Sequence, residues 1–304
     1  MGSLGQNHVR IYAELPEADL VGVHDVDAAR AAEIAARYGT RAFDSLDELA
    51  GAVEAAIVVV PTDRHRAIAG ALIGKGLHLL VEKPIAASTA EAEELVALAQ
   101  ARGVILQVGH VERFNPVLSF LEQMARAPRF IEAHRLAPFP PPREGLPPRG
   151  TEVSVILDLM IHDLEIILHL VGSPVREIRA VGIPVLSRSE DIANVRLLFA
   201  NGCVANVTAS RVSPERMRKI RVFLEDAYVS IDYQKQEGEL YRKTASGIAR
   251  EAVPIEKGEP LANELRSFAQ CVERRDRPVV SGGHAAEALK FAVAITQRIR
   301  EGAS

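Results

Sequence analysis

The first 110 residues alternate short β-prone runs with helical patterns, and that alternation most narrows the folds open to the chain. Residues 19–24 (DLVGVH) read as a strand, followed by an Ala-rich amphipathic helix over 28–38. Residues 41–43 are a candidate short strand, and Ser45-Leu46-Asp47-Glu48 has the Ser-x-x-Glu spacing of a capping box. The apolar run 55–60 (AAIVVV) ends at Pro61. A helix over 64–74, a strand over 77–81, a Ser88-capped helix to Arg102 and a strand over 104–108 complete the series. Strands separated by helices of this length pair in parallel through right-handed crossovers. Wholly apolar strands suit a sheet covered on both faces. A Rossmann-type, doubly wound α/β domain is therefore expected over residues 1–115.

After Asn115 the pattern changes. A helix over 117–126 and a strand over 130–136 lead into 138–148, which holds too many prolines for a ladder or a helix interior. A long helical pattern over 153–170 precedes β-prone runs at 178–185, 193–199, 204–210, 219–224, 227–233 and 239–241. Asn201-Gly202 marks a hairpin between two of them. Helices over 261–274 and 284–300 close the chain. Successive strands without helices between them indicate an antiparallel sheet. Residues 116–304 are expected to form an α+β domain that binds substrate and mediates oligomerisation, with the last helix packing back on the first domain.

Bulk properties remove several classes of function. A length of 304 residues suits about two domains at ~150 residues each. Aromatics are scarce and Trp is absent, which argues against a carbohydrate-binding module built on aromatic platforms. A net charge of -4 leaves no electrostatic footprint for nucleic acid or an anionic membrane. Cys203 and Cys271 form no CxxC pair, so neither a disulfide framework nor a cysteine zinc site is expected, and a reducing cytoplasm is the simplest compartment. Apolar runs fall well short of the ~20 residues needed to span a bilayer, and no signal-peptide pattern opens the chain. Without HExxH or a His/Cys cluster, no metal site is expected.

The opening Met1-Gly2-Ser3-Leu4-Gly5 fits the later part of a G-x-G-x-x-G motif. There glycines let backbone N–H groups at a helix N-terminus approach a pyrophosphate. Asp25 ends the DLVGVH run, where an acidic side chain accepts the ribose hydroxyls of the adenosine. The next basic residue is Arg30, so NAD is favoured over NADP. The motif's first glycine and the strand before it are missing. That deficit leads to the expectation that Met1 lies inside the natural reading frame, which the intact mass of the native protein would decide.

Val81-Glu82-Lys83-Pro84 follows a strand at its C-terminal end, where ligands bind in open α/β sheets. Upstream lies Pro61-Thr62-Asp63-Arg64-His65. Together with the opening glycines these motifs resemble the Gfo/Idh/MocA family of sugar and cyclitol oxidoreductases, over nearly the whole chain. The resemblance implies that Lys83 lies at the reacting carbon beside a nicotinamide, often with a cis Lys-Pro peptide. It also implies that Pro61, Thr62, His65 and Glu82 line the cofactor site with Lys83, although for His65 a structural place at the helix N-terminus is an equally open reading. The chemistry is consistent on its own terms: hydride removal from a secondary alcohol requires proton transfer and stabilisation of a developing oxyanion. A partly desolvated lysine can serve there.

Asp158 and His162 stand at i and i+4 within an apolar helix, a spacing that places them on one face. The resemblance implies that His162 is an acid/base and that Asp158 binds or orients. It further makes His110, Arg113 and Asn115 of the His110-Val111-Glu112-Arg113-Phe114-Asn115-Pro116 segment candidate substrate contacts, with Asp191 and Asn194 behind them. Arg211, Arg216, Arg218 and Lys219 could meet a nucleotide-sugar pyrophosphate, or could equally be a solvated strand end or subunit contact. The 109–116 and 156–164 segments and the stretch 201–219 resemble the bacterial branch that oxidises the 3-hydroxyl of UDP-N-acetylglucosamine for lipid A precursors. That branch implies a UDP-sugar substrate, an aminotransferase as the next enzyme and a homodimer or homotetramer. A dehydrogenase of a free sugar or inositol, and a catalytically silent NAD-binding protein, remain open alternatives. The arrangement expected places Lys83 and His162 on opposite walls of one cleft.

Overall fold

The structure, a computed structural model, describes residues 2–142, 148 and 150–302. The chain forms two compact units, Met1–Val111 with Glu259–Ala286, and Glu112–Gly258 with Glu287–Ser304. This division differs from two contiguous domains, because a C-terminal segment returns to the first unit. Instead of the last helix as a whole, the returning segment is the helix over residues 260–274 and the start of the last one.

The first unit contains α1 (Ser3–Glu14), β1 (Gly22–Val23), α2 (Ala28–Tyr38), β2 (Arg41–Ala42), α3 (Leu46–Ala50) and β3 (Ala55–Val58). It continues with α4 (Thr62–Gly74), β4 (His78–Glu82), α5 (Thr89–Arg102) and β5 (Leu106–Gly109). β1 and β2 pair in parallel, and β3, β4 and β5 form a second parallel sheet in that order. Among the described residues no ladder joins β1 to β3. Every residue of the central β4 is buried, as expected of a strand with helices on both faces. The side chains of Asp27, Ser45 and Ser88 accept hydrogen bonds from the N–H groups of Arg30, Glu48 and Glu91, which fixes the starts of α2, α3 and α5. Ile11, Leu15 and Leu80 form one core cluster with Leu265 and Phe268 of the returning helix.

In the second unit a 3₁₀ turn (Val111–Phe114) leads to α6 (Pro116–Met124) and β6 (Phe130–Leu136). Next come a π-helical turn (Ile156–Met160) and α7 (Ile161–Val171). Seven strands follow: β7 (Val175–Ile183), β8 (Ile192–Phe199), β9 (Val204–Ser210), β10 (Met217–Phe223), β11 (Ala227–Asp232), β12 (Glu237–Thr244) and β13 (Gly247–Val253). With β6 they make one eight-stranded sheet in the order β13-β12-β11-β10-β6-β9-β8-β7, parallel at β6–β9 and antiparallel at its other pairings. Gly202 takes the left-handed conformation (φ 87°) that the Asn-Gly hairpin requires. α7 and the π turn pack on β6 and β9. α8 (Pro260–Arg274) and α9 (Gly282–Gly302) complete the chain. Residues 137–142 are irregular, as their prolines dictate; the rest of that stretch, apart from Pro148, lies outside the described residues. Among the described residues no helix is long and apolar enough to cross a membrane.

Candidate active site

In the first unit the candidate groups lie at helix N-termini and at the C-terminal ends of parallel strands. Gly2 stands at the N-cap of α1 without a side-chain cap, and no acidic residue occupies the first turn. The N–H groups of Ser3, Leu4 and Gly5 therefore lack intrahelical acceptors and, with the helix dipole, favour an anion. Space is open where a Cβ on Gly2 would stand, so backbone can be approached closely there. Asp25 follows β1, and one of its carboxylate oxygens accepts the Asp27 N–H at 2.9 Å. An uncapped positive helix end and a strand-end carboxylate are the two features a dinucleotide needs, and these residues fit one. Pro61 is exposed and Thr62 half-buried at the start of α4, directly after β3.

Glu82 ends β4 and links two parts of this unit. Its Oε1 pairs with His8 Nε2 of α1 at 2.9 Å, and its Oε2 accepts the Lys83 backbone N–H at 3.3 Å. Gly109 of β5 lies so close that a Cβ there would approach Glu82 Oε2 to 2.9 Å. The carboxylate thus ties the glycine-loop helix to the turn carrying half-buried Lys83. The Lys83–Pro84 peptide is cis. His65 is almost fully buried and its nitrogens face backbone carbonyls, Nδ1 that of Pro84 at 2.9 Å and Nε2 that of Val60 at 3.0 Å. His65 thus bridges the loops after β3 and β4, in keeping with the structural place at a helix N-terminus that the sequence left open beside a cofactor contact. His110 is buried just after β5.

Sequence reasoning did not single out His8 or Glu264. His8 meets a partner 74 residues away, so no local spacing announces it. Glu264 is fully buried on α8, and neither carboxylate oxygen has a hydrogen-bond partner among the described residues. Burial, and secondarily the charge of Glu82, pushes the Glu264 carboxyl well above the usual carboxylate range.

In the second unit Asp158 lies in the π turn and His162 in the first turn of α7. Ile156, Met160, Ile161 and Leu164 around them are fully buried, whereas Asp158 and His162 are each half-buried. Leu157 and Leu159 are half-buried as well, so Asp158 and His162 are the polar groups at the partly accessible positions of this segment. The π turn was not anticipated, and its i→i+5 bonding alters the simple i, i+4 argument; such turns recur at functional sites.

Several expected substrate contacts have other work. Arg113 is buried and pairs through Nη1 with Glu165 at 2.7 Å and through Nη2 with Glu122 at 3.2 Å. The Asn115 amide donates to Glu112 Oε2 (3.3 Å) and the Tyr233 carbonyl (3.1 Å), while its oxygen accepts the Val117 N–H (3.4 Å) at the start of α6. Arg211 is buried with all five guanidinium N–H groups committed: to Asp191, the Gly150 and Val153 carbonyls, Ser187 and Ser189. The side-chain donors of Asn115 and Arg211 are thus committed within the unit, whereas Arg113 Nε is buried without a partner among the described residues. Asp191 is buried in the same network, and Asn194 is exposed, bonded to Thr208 across the strands. Arg218 pairs with Glu112 (3.1 Å) and Lys219 with Asp232 (3.6 Å).

A two-part chain with a dinucleotide-type glycine helix, a strand-end Lys-Pro and a partly accessible Asp158 and His162 defines a nicotinamide-type oxidoreductase. The family described as "Oxidoreductase family, NAD-binding Rossmann fold" matches residues 1–110, and "GFO/IDH/MocA C-terminal domain" matches residues 127–230. The chain belongs to the Gfo/Idh/MocA oxidoreductase family and is an enzyme acting on CH–OH groups. It is 39% identical to the UDP-N-acetylglucosamine 3-dehydrogenase of Acidithiobacillus ferrooxidans, over 97% of this chain and 95% of that one. The solved structure of that enzyme superposes with a TM-score of 0.92 at 37% identity, covering 99% of this chain and 95% of the other. The scyllo-inositol 2-dehydrogenase (NAD(+)) of Bacillus subtilis is 26% identical over 99% of this chain and 93% of its own.

Proposed function

We propose that this enzyme oxidises a secondary hydroxyl of a nucleotide sugar to a ketone with NAD, and that the hydroxyl is the 3-OH of UDP-N-acetylglucosamine. The likeness that supports the substrate is the 39% identity, along nearly the full chain, to a dehydrogenase of that name. A nicotinamide, when bound, accepts the hydride. The Lys83 ammonium donates a hydrogen bond to the reacting oxygen and stabilises negative charge as it develops. His162 removes the hydroxyl proton, and Asp158 orients the substrate or the imidazole. Glu82 holds Lys83 in place through the backbone N–H it accepts. Asp25 favours NAD, since a second negative charge on the ribose 2′-oxygen would stand against its carboxylate.

The test is a substrate panel followed by NADH absorbance: UDP-N-acetylglucosamine, UDP-glucose, free N-acetylglucosamine and scyllo-inositol, each with NAD and with NADP. Turnover with UDP-N-acetylglucosamine and NAD at least ~10-fold above the others is expected, a margin of about 1.4 kcal/mol in transition-state binding. Preference for the free sugar or the inositol overturns the nucleotide-sugar reading. The inositol relative is the reason for including that arm.

A further inference from the structure

Arg211 was expected to meet substrate; its hydrogen bonds point to another task at the same place. Directly after β9, the guanidinium Nε donates to Asp191 Oδ1 at 2.7 Å. Nη1 donates to the carbonyls of Gly150 (2.6 Å) and Val153 (2.9 Å), and Nη2 to the hydroxyls of Ser187 and Ser189 (2.9 Å each). The other Asp191 oxygen accepts the N–H groups of Val185, Leu186 and Ser187 at 2.6–2.8 Å. Ser189 Oγ also donates to the Val153 carbonyl at 2.9 Å, and the Val155 N–H donates to the Glu190 carbonyl at 2.9 Å. The backbone of residues 150–155, which leads into the π turn, is thereby held by four hydrogen bonds, two from Arg211, one from Ser189 and one to the Glu190 carbonyl, with Asp191 bracing Arg211.

That backbone touches Asp158. Gly150 has φ +84°, and a Cβ placed on it would stand 2.4 Å from Asp158 Oδ2. The Asp158 carboxylate therefore packs directly on the Gly150 Cα, and any shift of the 150–153 turn moves the wall against which the carboxylate rests. Asp191 and Arg211 are both essentially inaccessible. Their side chains also hold the turn at residues 185–189, and it is through the Gly150 and Val153 carbonyls that Arg211 reaches the backbone beside Asp158.

We propose that Arg211 and Asp191 are positioning residues that, through the turn at Gly150, set the orientation of the Asp158 carboxylate for the reaction. The proposal rests on the reading of Asp158 as a site residue. Arginine suits the task because its planar fork reaches five acceptors at fixed angles, which a lysine cannot do.

The test compares Asp158→Asn, Gly150→Ala, Arg211→Lys and the double variant Gly150→Ala/Asp158→Asn in the full-length enzyme. NAD and UDP-N-acetylglucosamine are the substrates, and kcat and both KM values are read across pH. Gly150→Ala is expected to lower kcat about 10- to 100-fold, the scale of an ångström-level misplacement, with the KM for NAD unchanged. Arg211→Lys is expected to follow in the same direction. The double variant is expected to be no worse than Asp158→Asn alone, because both changes act on one carboxylate. Losses that multiply in the double variant overturn the proposal. So does parent-like kcat in Gly150→Ala and Arg211→Lys beside an impaired Asp158→Asn. If Asp158→Asn itself keeps parent kinetics, the reading of Asp158 fails and takes the proposal with it. Should Arg211→Lys not fold, Gly150→Ala, at a turn, decides alone.

Discussion

Buried acids in the two units live in opposite surroundings. In the second unit Glu112 and Asp163 share Arg135, Glu165 faces Arg113 and Asp191 faces Arg211, the shortest contact of each pair being 2.9 Å or less. Burial opposes ionisation of Glu112, yet Arg135 and Arg218 still hold its carboxyl below the usual range. Asp191 is likewise held low against its burial by Arg211 and by the Ser187 hydroxyl and backbone. In the first unit Glu264 is as deeply buried, but the charged neighbour it feels is another acid, Glu82. Glu112 and Asp191 are thus held toward the charged form by the cations beside them, whereas burial prevails at Glu165 despite Arg113 and raises its carboxyl. Glu264, whose charged neighbour is an acid, is pushed well above the usual carboxylate range. Depth and partner together set the state of a carboxyl group.

The most damaging way to probe this contrast is to remove a shared cation. Arg135→Met leaves Asp163 and Glu112 buried without their arginine, and a loss of about 3–5 kcal/mol is expected in urea unfolding at pH 7. A loss under about 1 kcal/mol would mean that the network contributes little. The stability that Glu112 contributes through its lowered pKa is present above the ordinary value near 4.5 and disappears as pH falls through the lowered one. The parent should therefore destabilise steeply in acid, and the Arg135→Met variant less so.

Glu264→Gln tests the other side of the comparison and carries the opposite sign. A carboxyl whose folded pKa is raised costs stability once pH exceeds its unfolded value, and the cost grows until the folded pKa is reached. The variant should thus gain on the parent as pH rises from 5 to 9, and the gap should close below the ordinary value near 4.5. A pH-independent difference would show that Glu264 is not protonated in the native state.

Smaller effects belong to groups at the surface of the first unit. Asp25→Ala removes the strand-end carboxylate, and the KM for NAD should rise about 10- to 100-fold, the worth of hydrogen bonds to a charged group. NADP should suffer less; equal losses for both would remove Asp25 from the ribose. Ser88→Ala deletes the hydrogen bond to the Glu91 N–H that caps α5 and should cost about 1 kcal/mol in the same urea experiment, without changing turnover.

The contrast also explains what the sequence made legible. In the first unit the candidate site residues sit at strand ends and helix starts, and short contiguous motifs such as Glu82-Lys83-Pro84 stand out against apolar strands. Helix α2 and strand β6 were readable to the residue, because their apolar positions alternate with the period of their own structure. Strand β13 was not; apart from Val253 its residues are not buried, so it carries almost no alternation. In the second unit, site residues and scaffold residues are the same amino-acid types. Arg113, Asn115 and Arg211 look like ligand contacts in a linear reading, and their partners at separations of 20 to 118 residues, which no local spacing announces, tie them into the scaffold. The π turn was hidden for a related reason: its residues carry ordinary helical periodicity.

The role proposed above for Lys83 and His162 has the ammonium stabilise the oxygen, and the imidazole take the proton, of one and the same hydroxyl. Its most direct test is steady-state NADH production from UDP-N-acetylglucosamine by Lys83→Met, His162→Ala and the double variant, with NAD binding measured separately by fluorescence. Each single variant should lose roughly 10²- to 10⁴-fold in kcat, the double variant should fall within about 10-fold of the worse single, and NAD affinity should stay within a few-fold of the parent. Parent-like turnover in either single variant, or losses that multiply in the double, would contradict it.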